Sequence, residues 1–263
     1  NSGSEATDNA IKISRKYTRK TNIITMNRGF HGRTLGALSF TSSNTACKEK
    51  MQPLIPGGFF CNDFTKESLD LILQYQSSPD ETAAIFLEPV LGEGGVHSIP
   101  TEFLKYVREV CDAYKIIFIA DEVQCGAGRT GTWWNIEQKD VVPDMITFAK
   151  GIASGFPLAG IATKSKIIDN IGTGNLGGTY GGNAMASAAA CASIDVINNE
   201  NLLENSKKIE LLIKNNLKDE LLIKEIRQYG LMIAIEFNKD ISHSLVSSLR
   251  DDGKDRRGAV LIQ

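Results

Sequence analysis

Lys150 ends the apolar run 145–149, and Gly151, Ser154 and Gly155 follow it at once. A lysine in that place either snorkels its charge out of a hydrophobic sheet or works inside a cleft. An amine poised near neutrality can form a Schiff base with a carbonyl, so the second use carries chemistry. Two carboxylates close apolar runs of the same kind, Glu88 in 83–89 and Asp121 in 116–122. A buried acid and a buried amine perturb each other's ionisation, which active sites exploit and core ion pairs also show. The glycine-rich turn 150–155 leaves room for a ligand against the backbone.

Three other stretches offer binding groups. In NSGSEA, residues 1–6, Gly3 and Ser4 open a helix with Glu5 in its first turn, which makes either a phosphate cradle or an ordinary serine cap. GGTYGG, residues 177–182, again sets a hydroxyl, Thr179, among glycines before a helix. RGFHGRT, residues 28–34, places Phe30 and His31 beside a glycine turn and Arg33, a set that could stack an aromatic ligand and grip a carboxylate. Taken singly, Phe30 suits a core and Arg33 a solvated surface. His31, His97 and His243 lack metal-ligand spacing, so no metal site is expected. GEGG and GAGRTG match neither a P-loop nor a dinucleotide fingerprint.

The spacing says which elements position the first three groups. Glu88, Asp121 and Lys150 are 33 and 29 residues apart, and a strand–helix–strand step takes roughly 30 residues. Each run reads as a buried parallel strand, so the polar residues leave one sheet at its carboxyl edge, where open α/β sheets bind ligands. Phe103, Leu104, Val107, Val110 and Cys111 recur at helical spacing between the first two runs and predict an amphipathic crossover helix. Helices are also expected over 4–20 and from about residue 182, and a strand over 21–29. Beyond Glu200 the composition shifts to Leu, Ile, Lys and Asn, and IRQYGLMIAIEFN reads as a strand of a smaller layer. The expected fold is α/β: a mostly parallel central sheet with flanking helices in a large domain, 1–199, and the start of a smaller α+β domain, 200–263.

Composition bounds the partners. The 263 residues, 42% hydrophobic and 23% charged, suffice for one large domain and part of another. A net charge of −2 from interspersed charges argues against nucleic acid or an anionic membrane as the main partner. Five scattered cysteines without a CxxC pair argue against a disulfide framework and for a reducing compartment. No apolar stretch reaches membrane-spanning length, and the opening, without Met or a targeting peptide, suggests a fragment.

In order along the chain, NSGSEATDNAIK, GFHGRTLGALSFT, FLEPVLGEGGV, IADEVQCGAGRTG, PDMITFAKGIASGFPLAG and GGTYGGN resemble blocks of the class III (ω-amino-acid) aminotransferases. Those enzymes use pyridoxal 5'-phosphate on the fold type I scaffold. The most specific match is DEVQ with the AKG lysine 26 residues after Gln124, a spacing that also fits one strand–helix–strand step. The resemblance implies that Lys150 binds the cofactor through a Schiff base and shuttles the proton. It implies further that Asp121 pairs with the pyridine nitrogen, that Gln124 reaches the ring hydroxyl, and that Phe30 and Val123 sandwich the ring with His31 in the same binding set. Gly3 and Ser4 resemble the phosphate cradle, and Thr179 the hydroxyl that reaches a phosphate across a homodimer with shared active sites.

For the substrate, Arg227 resembles the carboxylate-binding arginine, masked by its usual partner Glu93 until a keto acid arrives. Arg33 resembles the grip on the distal carboxylate of glutamate or 2-oxoglutarate, and Glu88 joins the substrate-binding set. The implied activity moves an amino group from 4-aminobutyrate, N-acetylornithine or ornithine to 2-oxoglutarate, in the cytoplasm or the mitochondrial matrix. The family's enzymes are longer, so the alternative is a truncated, non-catalytic homologue that binds or dimerises with a full-length relative. A lyase, racemase or aminomutase would keep Lys150 and Asp121, but Arg33, Glu93 and Arg227 together argue against it.

Overall fold

The computed structural model describes residues 1–218 and 220–252. In chain order the first part runs α1 (Gly3–Thr18), β1 (Asn22–Met26), α2 (Leu35–Phe40), β2 (Gly58–Cys61), α3 (Lys66–Tyr75), β3 (Thr82–Leu87), β4 (Val90–Leu91), β5 (His97–Ser98), α4 (Thr101–Tyr114), β6 (Ile117–Asp121), β7 (Met145–Phe148), β8 (Gly160–Thr163) and α5 (Ser165–Ile168). It continues with α6 (Ala184–Asn199), α7 (Leu202–Leu217), β9 (Ile223–Tyr229), β10 (Met232–Phe237) and α8 (Ser242–Asp252).

The described residues form a six-stranded sheet in the order β2-β1-β3-β6-β7-β8. Neighbouring strands from β2 to β7 are parallel, and β8 returns antiparallel to β7 at one edge. Every residue of β3 and β6 is buried, as a sheet covered on both faces requires. Successive strand side chains point to opposite faces, so the two layers can be read off β3. Ile85 and Leu87 pack with Leu69, Phe103 and Leu104 of α3 and α4, whereas Ala84 and Phe86 pack with Ala10 and Ile13 of α1 and Phe40 of α2. The helix expected between the first two runs is α4, and it buries Phe103, Leu104, Val107, Val110 and Cys111.

Two expectations are corrected. The connection from β6 to β7 is not a helical crossover; it holds one 3-10 turn, Asn135–Lys139. Positive φ at Ala127, Gly128 and Gly131 rules a regular helix out, and the buried Glu122 carboxylate organises the loop instead. Glu122 accepts from the N–H groups of Asn135 (3.0 Å) and Ile136 (2.7 Å) and from the Cys125 thiol (3.0 Å). The segment read as one late strand is an antiparallel hairpin, β9–β10, that forms a sheet of its own. Its turn needs Gly230, which has φ 56° and leaves no room for a Cβ, since one would lie 2.7 Å from the Arg129 carbonyl oxygen. Residues 253–263 of the expected smaller domain lie outside the described residues.

The amino edge of the sheet is tied by Asp144, just before β7. Its Oδ2 accepts from the Phe118 N–H (3.0 Å) and from Arg108 (2.8 Å), and its Oδ1 accepts from Lys164 (2.5 Å). Burial pushes this carboxyl up, but Lys164, the Phe118 amide and Arg108 outweigh it and hold it below its ordinary value. Asp144→Asn therefore destabilises the fold by about 1–3 kcal/mol in urea unfolding at pH 7. A depressed carboxyl lends stability above its unfolded pKa and loses it as pH falls through the folded one, so the gap between variant and parent closes below about pH 4.

Candidate active site

A cleft of about 350 Å³ opens at the carboxyl edge of the sheet, beside the start of α1. Asp121, the last residue of β6, stands at its floor and is 3% exposed. Its Oδ2 pairs with His31 Nδ1 at 2.7 Å, and its Oδ1 accepts from the Val123 N–H (3.1 Å) and the Thr147 hydroxyl (3.0 Å). Thr147 is brought there by strand register, because β6 and β7 place it opposite Asp121. His31 is locked in turn. Its N–H donates to Thr41 Oγ1 (2.9 Å), its carbonyl accepts from the Thr7 hydroxyl (2.8 Å), and its ring stacks on Phe86 with centroids 4.4 Å apart. Burial alone lowers the pKa of His31, but the hydrogen bond to Asp121 and the charges of Asp121 and Glu88 outweigh it and leave it raised.

Lys150 is not the buried partner of Asp121 that the two strand ends suggested. Asp121 is hydrogen-bonded by Val123 and Thr147 at Oδ1 and by His31 alone at Oδ2, and not by Lys150. Lys150 takes φ 46° at the start of a 3-10 turn, is exposed, and donates from Nζ to Gln124 Oε1 at 2.6 Å. Gln124 lies tight against Gly92, where a Cβ would come within 2.6 Å of its Cδ.

At the mouth of the cleft Ser2 is the helix cap, accepting from the Glu5 N–H at 3.3 Å, so the plain reading of the first turn is right for that residue. Gly3 and Ser4 line the cleft. A Cβ on Gly3 would lie 2.9 Å from Val123 Cγ1, and Ser4 Oγ accepts from the Arg33 N–H at 3.1 Å. Gly32 was not singled out, yet φ +131° and a Cβ position 2.3 Å from Ser4 Oγ make it indispensable to the packing of the loop against α1. Phe156, Pro157 and Leu158 also line the cleft; the Gly-Phe-Pro run after the lysine was their only signal.

Glu88 is 3% exposed, and burial pushes its pKa up to about 7. Both its oxygens are taken, Oε1 by the Phe30 N–H (2.8 Å) and Oε2 by the Gly92 N–H (3.0 Å), which leaves a substrate little to bind. The structure thus gathers Gly3, Ser4, Phe30, His31, Arg33, Glu88, Asp121, Val123, Gln124 and Lys150 around one cleft. Glu93, Thr179 and Arg227 are not among its lining residues. Thr179 is exposed in a loop whose Gly177, Gly178 and Gly181 line a neighbouring cavity of about 520 Å³ beside α1 and β8. The expected Glu93–Arg227 pair is not formed. Arg227 is held by Glu236 (2.8 Å) and Glu225, both on the same hairpin, and its Nε donates to the Gly95 carbonyl at 2.8 Å, in the turn that carries the exposed Glu93.

An exposed amine, a buried acid held by an imidazole and the start of a helix thus meet in one cleft. The family model for Aminotransferase class-III matches residues 1–255, and the chain belongs to that family. It is 42% identical over 257 residues to 5-aminovalerate aminotransferase DavT of Pseudomonas putida, covering 92% of this chain and 60% of that protein. It is 38% identical to 4-aminobutyrate aminotransferase GabT of Escherichia coli, covering 95% and 64% respectively. Ornithine aminotransferase 1 of Staphylococcus aureus is 40% identical, with 91% and 62% covered.

Among solved structures, the ornithine aminotransferase of Toxoplasma gondii superposes with a TM-score of 0.88 at 30% identity, over 96% of this chain and 63% of that one. The taurine:2-oxoglutarate aminotransferase of Bifidobacterium kashiwanohense, in complex with PLP and glutamate, gives 0.85 at 29%, over 97% and 65%. The fold is therefore the fold type I scaffold of the PLP-dependent transaminases. The chain spans 60–64% of the length of the three curated relatives. Among the described residues no helix is long and apolar enough to cross a membrane.

Proposed function

We propose that the chain carries the cofactor site of a pyridoxal-phosphate-dependent aminotransferase that moves the amino group of an ω-amino acid to 2-oxoglutarate. The donor is of the 4-aminobutyrate, 5-aminovalerate, N-acetylornithine or ornithine type. One observation supports this reading above the others: Lys150, Gln124 and Asp121 meet in a single cleft with an exposed amine in front and a buried acid behind.

The residues present fit the cofactor. Lys150 offers an amine for its aldehyde, Asp121 a carboxylate for a ring nitrogen, Phe30 and Val123 apolar walls, and the first turn of α1 N–H groups with no intrahelical acceptor for its phosphate. When bound, pyridoxal phosphate supplies an electron sink for the pair left behind when the amino carbon loses its proton. Lys150 Nζ takes that proton and returns it on the far side of the transfer, and Gln124 aims the amine. Asp121, hydrogen-bonded by His31, would hold a proton on the ring nitrogen. Arg33 grips the distal carboxylate of the acceptor. Arg227 binds the other once Glu236 and Glu225 yield it, since a half-buried arginine is best kept paired by exchanging partners.

The division at residue 199 is part of the same reading, supported by the separate β9–β10 sheet. So is a homodimer in which Thr179 serves the neighbouring site, which accords with its place outside this cleft. The three curated relatives named above are bacterial, so of the two compartments we retain the cytoplasm; the mitochondrial matrix finds no support.

The test is a single turnover: protein loaded with pyridoxal phosphate is mixed with each donor in turn, and conversion of the bound cofactor to its amine form is followed by absorbance. Conversion by at least one ω-amino donor and its reversal by 2-oxoglutarate is the expected result; no conversion by any amino donor sinks the proposal. Arg33→Gln should raise KM for 2-oxoglutarate about 10- to 100-fold through removal of a charge-assisted hydrogen bond, while the rate of the donor half-reaction stays unchanged.

A further inference from the structure

Glu88 directly follows β3, and its two carboxylate oxygens reach two segments far apart in sequence. Oε1 accepts from the N–H of Phe30, in the loop between β1 and α2, and Oε2 from the N–H of Gly92, in the turn between β4 and β5. Each segment leads directly to the cleft. Phe30 lines it and is followed by His31, the partner of Asp121. Gly92 packs against Gln124, the acceptor for Lys150.

We propose that Glu88 is a positioning residue, a clamp whose carboxylate holds the Phe30–His31 segment and the Gly92–Gln124 contact at one spacing, so that the groups meeting the two ends of the cofactor stay in register. The consequence for cofactor binding rests on the reading of the cleft given above; the clamp itself does not.

The ionised carboxylate, which Glu88 carries fully only above about pH 7, suits the task because two N–H donors from separate segments need two acceptor oxygens with no hydrogen between them, so the clamp is measured at about pH 8.5. Glutamine has one such oxygen and would turn an NH₂ toward the other donor. Aspartate is one methylene shorter and cannot span both amides.

The experiment uses Glu88→Gln in the 263-residue chain, with Asp144→Asn as the control for loss of a buried carboxylate at the opposite edge of the sheet. In cofactor-free protein, hydrogen exchange should accelerate at least tenfold in the peptides holding Phe30 and Gly92 and stay unchanged in α4. The dissociation constant for pyridoxal phosphate should rise about 10- to 100-fold, as expected for a displaced charge-assisted hydrogen bond, and the visible circular dichroism of the bound cofactor should change. Asp144→Asn should lower the melting temperature but keep the affinity and the dichroism of the parent.

Parental exchange at both peptides overturns the clamp. So does a loss of affinity in Asp144→Asn that matches that of Glu88→Gln at equal loss of melting temperature. If the parent binds no cofactor at Lys150, the functional reading fails while the exchange result still decides the clamp. Should Glu88→Gln not fold, Glu88→Asp is measured instead, with one of the two peptides expected to lose protection; parental protection at both overturns the proposal.

Discussion

Lys150→Ala should lose transamination by about 10⁴-fold or more, because one substitution removes both the proposed covalent attachment point and the group proposed to move the proton. The fold should not change. Lys150 is exposed, its φ of 46° is shared by an alanine with the same Cβ, and its side chain makes one hydrogen bond, to Gln124. Borohydride reduction of the loaded parent followed by peptide mapping should recover the pyridoxyl group on the peptide holding Lys150, and nowhere in the variant. Lys150→Arg sharpens the test, since it keeps a cation beside Gln124 but gives no nucleophile at neutral pH. It should be as inactive as alanine. Turnover in either variant above about 1% of the parent would remove Lys150 from the proposed role.

Asp121→Asn is expected to lower kcat by about 10²- to 10³-fold, the usual size of the effect when one preorganised electrostatic partner of the reacting system is lost. The geometry allows a near-isosteric exchange: the amide oxygen can keep the Val123 N–H and the Thr147 hydroxyl. The NH₂ then faces His31 Nδ1, which must turn acceptor and go neutral. In the parent, the raised pKa of His31 adds stability that is fully present below its unfolded value, about 6.5, and is lost as pH rises through the folded one. In the variant, burial acts on His31 without Asp121 to oppose it, so this contribution disappears. The stability difference between parent and variant, read from urea midpoints, should therefore be largest at pH 6 and shrink toward pH 9. A kcat within tenfold of the parent would show that Asp121 does not serve the reacting ring, and a pH-independent difference would show that His31 is not charged through it.

The sequence by itself determined the frame of the site. Buried parallel strands show as unbroken apolar runs, and a regular spacing between their ends puts Glu88, Asp121 and Lys150 on one edge of a sheet without any knowledge of what covers it. The crossover helix α4 was legible for the same reason, since burial on one side imposes a helical period on the chain. The hairpin β9–β10 was not, because a lone glycine between IRQY and LMIAIEF leaves the segment looking continuous until the positive φ of Gly230 folds it back.

The partners of the charged groups were decided only by tertiary structure. Asp121 turned to His31, 90 residues away, and not to Lys150, because a left-handed backbone at Lys150 puts the amine beside Gln124. Arg227 turned to Glu236 and not to Glu93, because hairpin register pairs Ala234 with Arg227 and so places Glu236, two residues on, beside it. Burial leaves a one-dimensional trace, since it repeats with the period of the element. A hydrogen bond between distant segments leaves none, because it depends on where two loops come to rest within a few tenths of an ångström of each other.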